Sequence, residues 1–108
     1  MNTSMIANNL EPLKPTHPGS ILKEELECRG ISQRKLAKDM GVSYTVLNEV
    51  LNEKRAVNSE LSLMLEAALG IDAEPLMNMQ TRYNLLTARR DRSFLKRLKA
   101  IPRVAAVF

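Results

Sequence analysis

From Thr16 onward, apolar residues recur at spacings of three and four, and no stretch shows the period-two alternation of a strand. The pattern predicts an all-α protein. A first helix opens at Pro18, where a missing N–H costs nothing, with Thr16 or His17 at its cap, and runs to Arg29 ahead of Gly30. Ile21, Leu22 and Leu26 form its expected buried edge. Ile31-Ser32 then opens a second helix: Ser32 accepts an orphan N–H, and Ile31 reaches Leu36 as a hydrophobic staple. That helix ends at Gly41, and Val42-Ser43 repeats the device, with Ser43 as cap and Val42 facing Leu47, for a third helix reaching Leu51. A fourth begins at Asn58 or Ser59, carries Leu61, Leu65, Ala68 and Leu69 on one face, and closes at Gly70. A fifth begins near Asp72, tolerates Pro75 in its first turn, places Leu76, Met79, Tyr83 and Leu86 on one stripe, and extends through Phe94, Leu95 and Leu98 until Pro102. The expected architecture is thus five helices, the last one long.

The first fifteen residues lack any sustained period and contain Pro12 and Pro15, so 1–15 is expected to be a flexible arm. Residues 16–91 make the helical domain, and 92–108 form a basic, then apolar, tail suited to dimerisation or to a partner. With 108 residues, 12.2 kDa and 44% hydrophobic content, the chain has room for one domain with its own core. Cys28 is the only cysteine, which excludes a disulfide within the monomer. No apolar run reaches the roughly 18 residues of a membrane span, and the start lacks the basic-then-apolar layout of a secretion signal. A cytoplasmic location without membrane association is the resulting expectation.

Charge is unevenly divided. Residues 1–79 hold eight basic against eleven acidic side chains, whereas residues 80–108 hold eight against one. A basic segment admits polyanionic partners without identifying one. For Arg89, Arg90, Arg92, Lys96, Arg97, Lys99 and Arg103 three readings stand: a solvated helix end, an extra phosphate clamp, or a partner surface. Aromatic residues make up only 4%, which argues against stacking platforms for single strands or RNA. No metal-ligand spacing, Gly-rich phosphate loop or catalytic triad occurs, so neither a cofactor nor an enzymatic activity is expected. His17, the single histidine, sits where a cap is needed; Cys28 reads as a small, half-buried helix residue.

The stretch Gln33 to Asn52 carries the functional signal. Two short helices cross steeply only where the contact residue is small, the turn accepts a left-handed residue and the facing positions are apolar. Ala37, Gly41 and the set Leu36, Met40, Val42, Leu47 and Val50 meet these demands in turn. In such a helix-turn-helix the third helix of the chain enters the major groove of duplex DNA. Tyr44, Thr45, Asn48 and Glu49 then occupy its outward arc as candidate base contacts: Thr45 for a thymine methyl, Asn48 for adenine, Glu49 for cytosine N4. Glu49 has the competing reading of a solvated carboxylate. Gln33, Ser43, Asn52, Lys54 and Arg55 flank the helix as candidate phosphate contacts. Arg34, Lys35 and Lys38 suit either DNA contact or a solvated outer face.

The residues His17-Pro18-Gly19, Ile31-Ser32-Gln33, Leu36-Ala37, Gly41-Val42-Ser43, Asn52, Lys54-Arg55, Ala68-Leu69-Gly70, Asn78-Met79-Gln80, Tyr83 and Ala88-Arg89-Arg90 resemble the HigA-type, or VapI-like, antitoxins within the Xre family of lambda-repressor-like helix-turn-helix proteins. The resemblance spans residues 17 to 91. It implies a homodimer that represses its own operon at a palindrome and neutralises a HigB-type mRNA endonuclease toxin; a stand-alone Xre-type regulator is the alternative. Three positions depart from the family pattern. Glu53 stands where glycine is usual, so either Asn52 or a strained glutamate must make the turn. Leu76 and Met77 stand where large aromatics are usual, and the tail after Asp91 exceeds the family core.

Overall fold

The computed structural model describes residues 15–104, so the proposed arm lies almost wholly outside the described residues, as does the apolar end after Val104. Six helices follow in order: α1 Pro18–Arg29, α2 Gln33–Met40, α3 Tyr44–Leu51, α4 Ser59–Leu69, α5 Ala73–Arg89 and α6 Arg92–Lys99. The described residues contain no strand.

Local chemistry sets most of these boundaries. Ser32 and Ser43 accept from Lys35 N and Val46 N, and Asn58 accepts from Leu61 N, each taking up a donor that the first helical turn leaves unpaired. At the other end of α2, Gly41 is left-handed at φ 73°, which lets Gly41 N and Val42 N reach back to the Lys38 and Ala37 carbonyls. This Schellman turn swings the chain directly into α3 and seats Val42 against the core.

The expected long fifth helix is two helices. After Arg89 the chain turns, and the Asp91 carboxylate accepts from Ser93 N and Phe94 N, capping α6 as an independent unit. An aspartate bonded to the backbone ahead of it competes with helix continuation, so the stripe through Phe94, Leu95 and Leu98 does not extend α5. The count is therefore six rather than five.

The core forms where α1 to α5 converge, around Leu22, Leu26, Leu36, Ala37, Leu47, Val50, Leu51, Val57, Leu61, Leu65, Leu69 and Leu76. Ile21 and Ala68 are absent from it, and of the α5 stripe only Leu76 belongs to it, Met79, Tyr83 and Leu86 being half-buried. Pro18, Leu22 and Leu26, and likewise Leu61, Leu65 and Leu69, are buried at four-residue spacing, and Gly19 and Ser62, each one position after a stripe residue, widen the stripe on that side only. Ile21 and Ala68 each precede a stripe residue by one position, about 100° round the helix, and both are exposed. Cys28 is exposed as well, not half-buried.

The turn after α3 has the backbone bonds of the turn after α2 without its glycine. Glu53 N donates to the Val50 carbonyl and Lys54 N to that of Glu49, and Glu53 holds φ at 65°, the single non-glycine residue with positive φ among the described residues. The glutamate itself makes the turn, at a steric cost of about 1–2 kcal/mol. Glu53→Gly is expected to relieve that cost, less the entropy glycine gains when unfolded, raising stability by about 0.5–1 kcal/mol and Tm by about 3–6 °C. A melting curve of the variant that is unchanged or lower would contradict the strain.

Candidate nucleic-acid interface

α3 presents two faces. Leu47, Val50 and Leu51 are buried in the core, with Leu47 and Val50 at 0% exposure, so the helix is anchored by three apolar side chains. The opposite arc holds Thr45, which is exposed, and Asn48 and Glu49, which are half-buried; Tyr44, expected on this arc, is half-buried and packs against the core instead, seven residues before the buried Leu51 and so on its side of the helix. Ala37 lies fully buried at the crossing with α2, beside Leu36. The small residue, the left-handed turn and the apolar facing set anticipated for a helix-turn-helix are all present, with Met40 and Val42 packed at the edge of the core.

The outward arc is ordered by polar contacts across the two helices. Asn48 donates through Nδ2 to Gln33 Oε1 at 3.0 Å and approaches the Tyr44 hydroxyl at 3.5 Å. The Arg34 guanidinium covers the Tyr44 ring, 4.2 Å from its centroid. This ties α2 to α3 through side chains as well as backbone, and it fixes two of the residues assigned to base contact, Tyr44 and Asn48, before any ligand arrives. At the far end of α3, Asn52 donates to the Asn48 carbonyl and accepts from Lys23 Nζ at 3.2 Å, joining α1 to the same edge.

The candidate phosphate contacts lie at both ends of this edge. Gln33 starts α2 and is half-buried; Ser43, Asn52, Lys54 and Arg55 are exposed. Ser43 Oγ is also the cap of α3, so its hydroxyl serves the helix as well as the surface. Arg55 is paired with Glu49, Nη2 and Nε lying 2.7 and 2.9 Å from the same oxygen, Oε1. Of the α2 basic residues, Lys35 pairs with Asp39.

The segment that carries Lys54 and Arg55 is pinned by residues to which the sequence pattern gives no part in the interface. Gln80, buried on α5, accepts from Val57 N at 2.9 Å and donates to Asn84. His17 caps α1, its Nδ1 accepting from Gly19 N at 2.8 Å, and also hydrogen-bonds the Arg55 backbone. Its ring meets Tyr83 of α5 edge-on at 4.8 Å. Burial holds the His17 pKa below the usual imidazole value, while Glu53 and the Arg55 backbone act in the opposite direction. A neutral ring suits the cap, because a proton on Nδ1 would meet the Gly19 N–H. The readable signal for Gln80 was a polar residue within the apolar stripe of a helix, four positions after Leu76.

Among the described residues no cluster of His, Cys, Asp and Glu could hold a metal ion, and no helix is long and apolar enough to cross a membrane.

A helix-turn-helix family profile matches residues 22–76. Virulence-associated protein I of Dichelobacter nodosus is 42% identical over 77 residues, which is 70% of this chain and 71% of that protein. The solved structure of Pseudomonas aeruginosa antitoxin HigA with higBA promoter is 30% identical, with a TM-score of 0.73 over 85% of this chain and 100% of that one. Antitoxin GraA in complex with its operator is 31% identical, with a TM-score of 0.75 over 89% of this chain and 97% of the other. Sequence and fold agree, and the chain belongs to the Xre-type helix-turn-helix family, among the HigA-like and VapI-like proteins.

Proposed function

We propose that this chain is a DNA-binding antitoxin, without enzymatic activity of its own, that represses its own operon and neutralises a HigB-type toxin. The observation that carries the reading is the α3 arc: Thr45 stands exposed beside Asn48 and Glu49 on a helix whose opposite face is locked into the core. A short rigid helix of this kind fits the major groove with base-reading side chains already oriented. The operator complex of GraA and the promoter complex of HigA support the same use of the fold in this chain.

In this reading Thr45, Asn48 and Glu49 meet base edges, and Gln33, Ser43, Asn52 and Lys54 meet phosphates. The protein acts in the cytoplasm as a homodimer on a palindrome whose half-sites lie about 34 Å apart, one helical turn. Repression is by occupancy.

Thr45→Ala and Asn48→Ala are each expected to cost roughly 1–3 kcal/mol on the specific site while leaving random duplex unaffected. Lys54→Ala should weaken all sequences alike and lower the salt slope by about one. Gel shifts on the DNA upstream of the chain's own reading frame, at two salt concentrations, measure both. Equal losses on specific and random duplex for all three variants would sink the division of roles. Pulldown after co-expression with the neighbouring reading frame tests the toxin; repression with no such partner would leave a stand-alone regulator.

A further inference from the structure

Arg55 is six residues beyond Glu49, and in a continued helix it would lie more than a turn away. The left-handed Glu53 instead folds the chain back, so that the guanidinium returns to the flank of α3. Both of its donors, Nε and Nη2, go to one carboxylate oxygen, Oε1. The short contacts of the pair thus fall on Oε1, and the glutamate side chain keeps 38% of its surface exposed. Glu49 lies four positions after the exposed Thr45, hence on the same arc of the helix.

A bare carboxylate at this place would repel the phosphates on either side of the groove; paired with Arg55 it brings no net charge. An ionised carboxylate is also an acceptor only, and in the major groove the N4 amine of cytosine is a donor that it can read. We propose that Arg55 is a positioning residue rather than a phosphate contact: it holds Glu49 so that Oε2 accepts from the N4 amine of one cytosine in each half-site. The geometry is stiffened from behind, since the Arg55 backbone bonds His17 and Val57 N is fixed by Gln80. The pair thus supplies sequence preference, and Lys54 next to it supplies attraction to the backbone.

This rests on the DNA-binding reading above, and the test separates the two. The full-length chain selects its preferred duplex from a random library, and each base pair of that site is then replaced singly. Glu49→Gln and Arg55→Lys are each expected to lose about 5- to 100-fold of discrimination at the same C·G pair. Lysine keeps the positive charge but cannot place two fixed donors on one oxygen. The double variant should lose no more than either single one, because both act through one contact. Matching melting curves exclude unfolding as the cause, both side chains being at the surface.

The proposal is overturned if Arg55→Lys keeps the cytosine preference, or if Glu49→Gln removes it at no position. It is equally overturned if the charge-neutral double variant Glu49→Gln/Arg55→Gln weakens every duplex with a salt slope lower by about one, as loss of a phosphate contact would. A wild-type chain that prefers no sequence over random duplex brings down the DNA-binding reading itself, a result distinct from these.

Discussion

Gly19→Ala is expected to destabilise the fold by about 3 kcal/mol or more, among the largest effects of any single methyl group here. A Cβ on Gly19 would lie 1.9 Å from the Val50 carbonyl oxygen and 3.0 Å from both the Val50 carbonyl carbon and His17 Nδ1. None of these atoms is the loose end of a side chain. Val50 O is already bonded to Glu53 N in the turn after α3, and His17 Nδ1 caps α1. Relief therefore requires α1 to back away from α3, which opens the core around Leu22, Val50 and Leu51. Against a total stability of about 5–15 kcal/mol, a loss of this size should appear as a Tm lower by about 15 °C or as failure to accumulate folded protein. Gly41→Ala is the control. Its Cβ meets nothing within 4 Å and it bears only the left-handed cost at φ 73°, about 1 kcal/mol. Urea denaturation of both variants measures the difference, and a Gly19→Ala loss no greater than that of Gly41→Ala would show that the close approach does not exist.

The second large effect is at Gln80. Gln80→Leu keeps the bulk on α5 but strips the acceptor from Val57 N, a donor on a residue only 2% exposed, and a buried unpaired N–H costs about 1–3 kcal/mol. A fall in Tm of roughly 10 °C follows for about 2 kcal/mol. The same change loosens the segment that carries Lys54 and Arg55, so affinity for DNA should fall as well even under conditions where the variant is fully folded. Asn84→Ala, which removes only the exposed partner of Gln80, should stay within about 0.5 kcal/mol of the wild type. Thermal melts and binding isotherms of the two variants side by side check this; equal effects would mean that the bond to Val57 carries no weight.

Short-range chemistry was what the sequence made legible. Caps at Ser32, Ser43 and Asn58, the cap role of His17 and the crossing at Ala37 each depend on residues within a few positions of one another. Asp91 belongs to the same class, but in the sequence the apolar stripe continuing through Leu98 masks the single aspartate that caps α6. Burial was read less well than helix position. Ile21 and Ala68 are apolar and in register to within one residue, and only the true crossing of the helices decides which residue of each pair faces inward. Of the candidate interface, the outward placement of Thr45, Asn48 and Glu49 was legible, that of Tyr44 against the core was not, and neither were the connections between these residues. Nothing local joins Glu49 to Arg55, Gln33 to Asn48 or His17 to Tyr83, since each link depends on how the chain folds back. Three residues that carried the resemblance also act together: His17 meets Tyr83, and His17 and Gln80 hold the segment following α3 at Arg55 and Val57.

α6 contributes no buried residue, and its packing is against α5. Eight residues are too few for a helix to persist in water on its own sequence alone. Opening of this segment therefore need not await global unfolding, and its amides should exchange with solvent at a much smaller free energy than those of α3. Energetically the molecule is a firm cooperative block with a soft appendage, and a macromolecule that gripped the appendage would have to bear the entropy of ordering it.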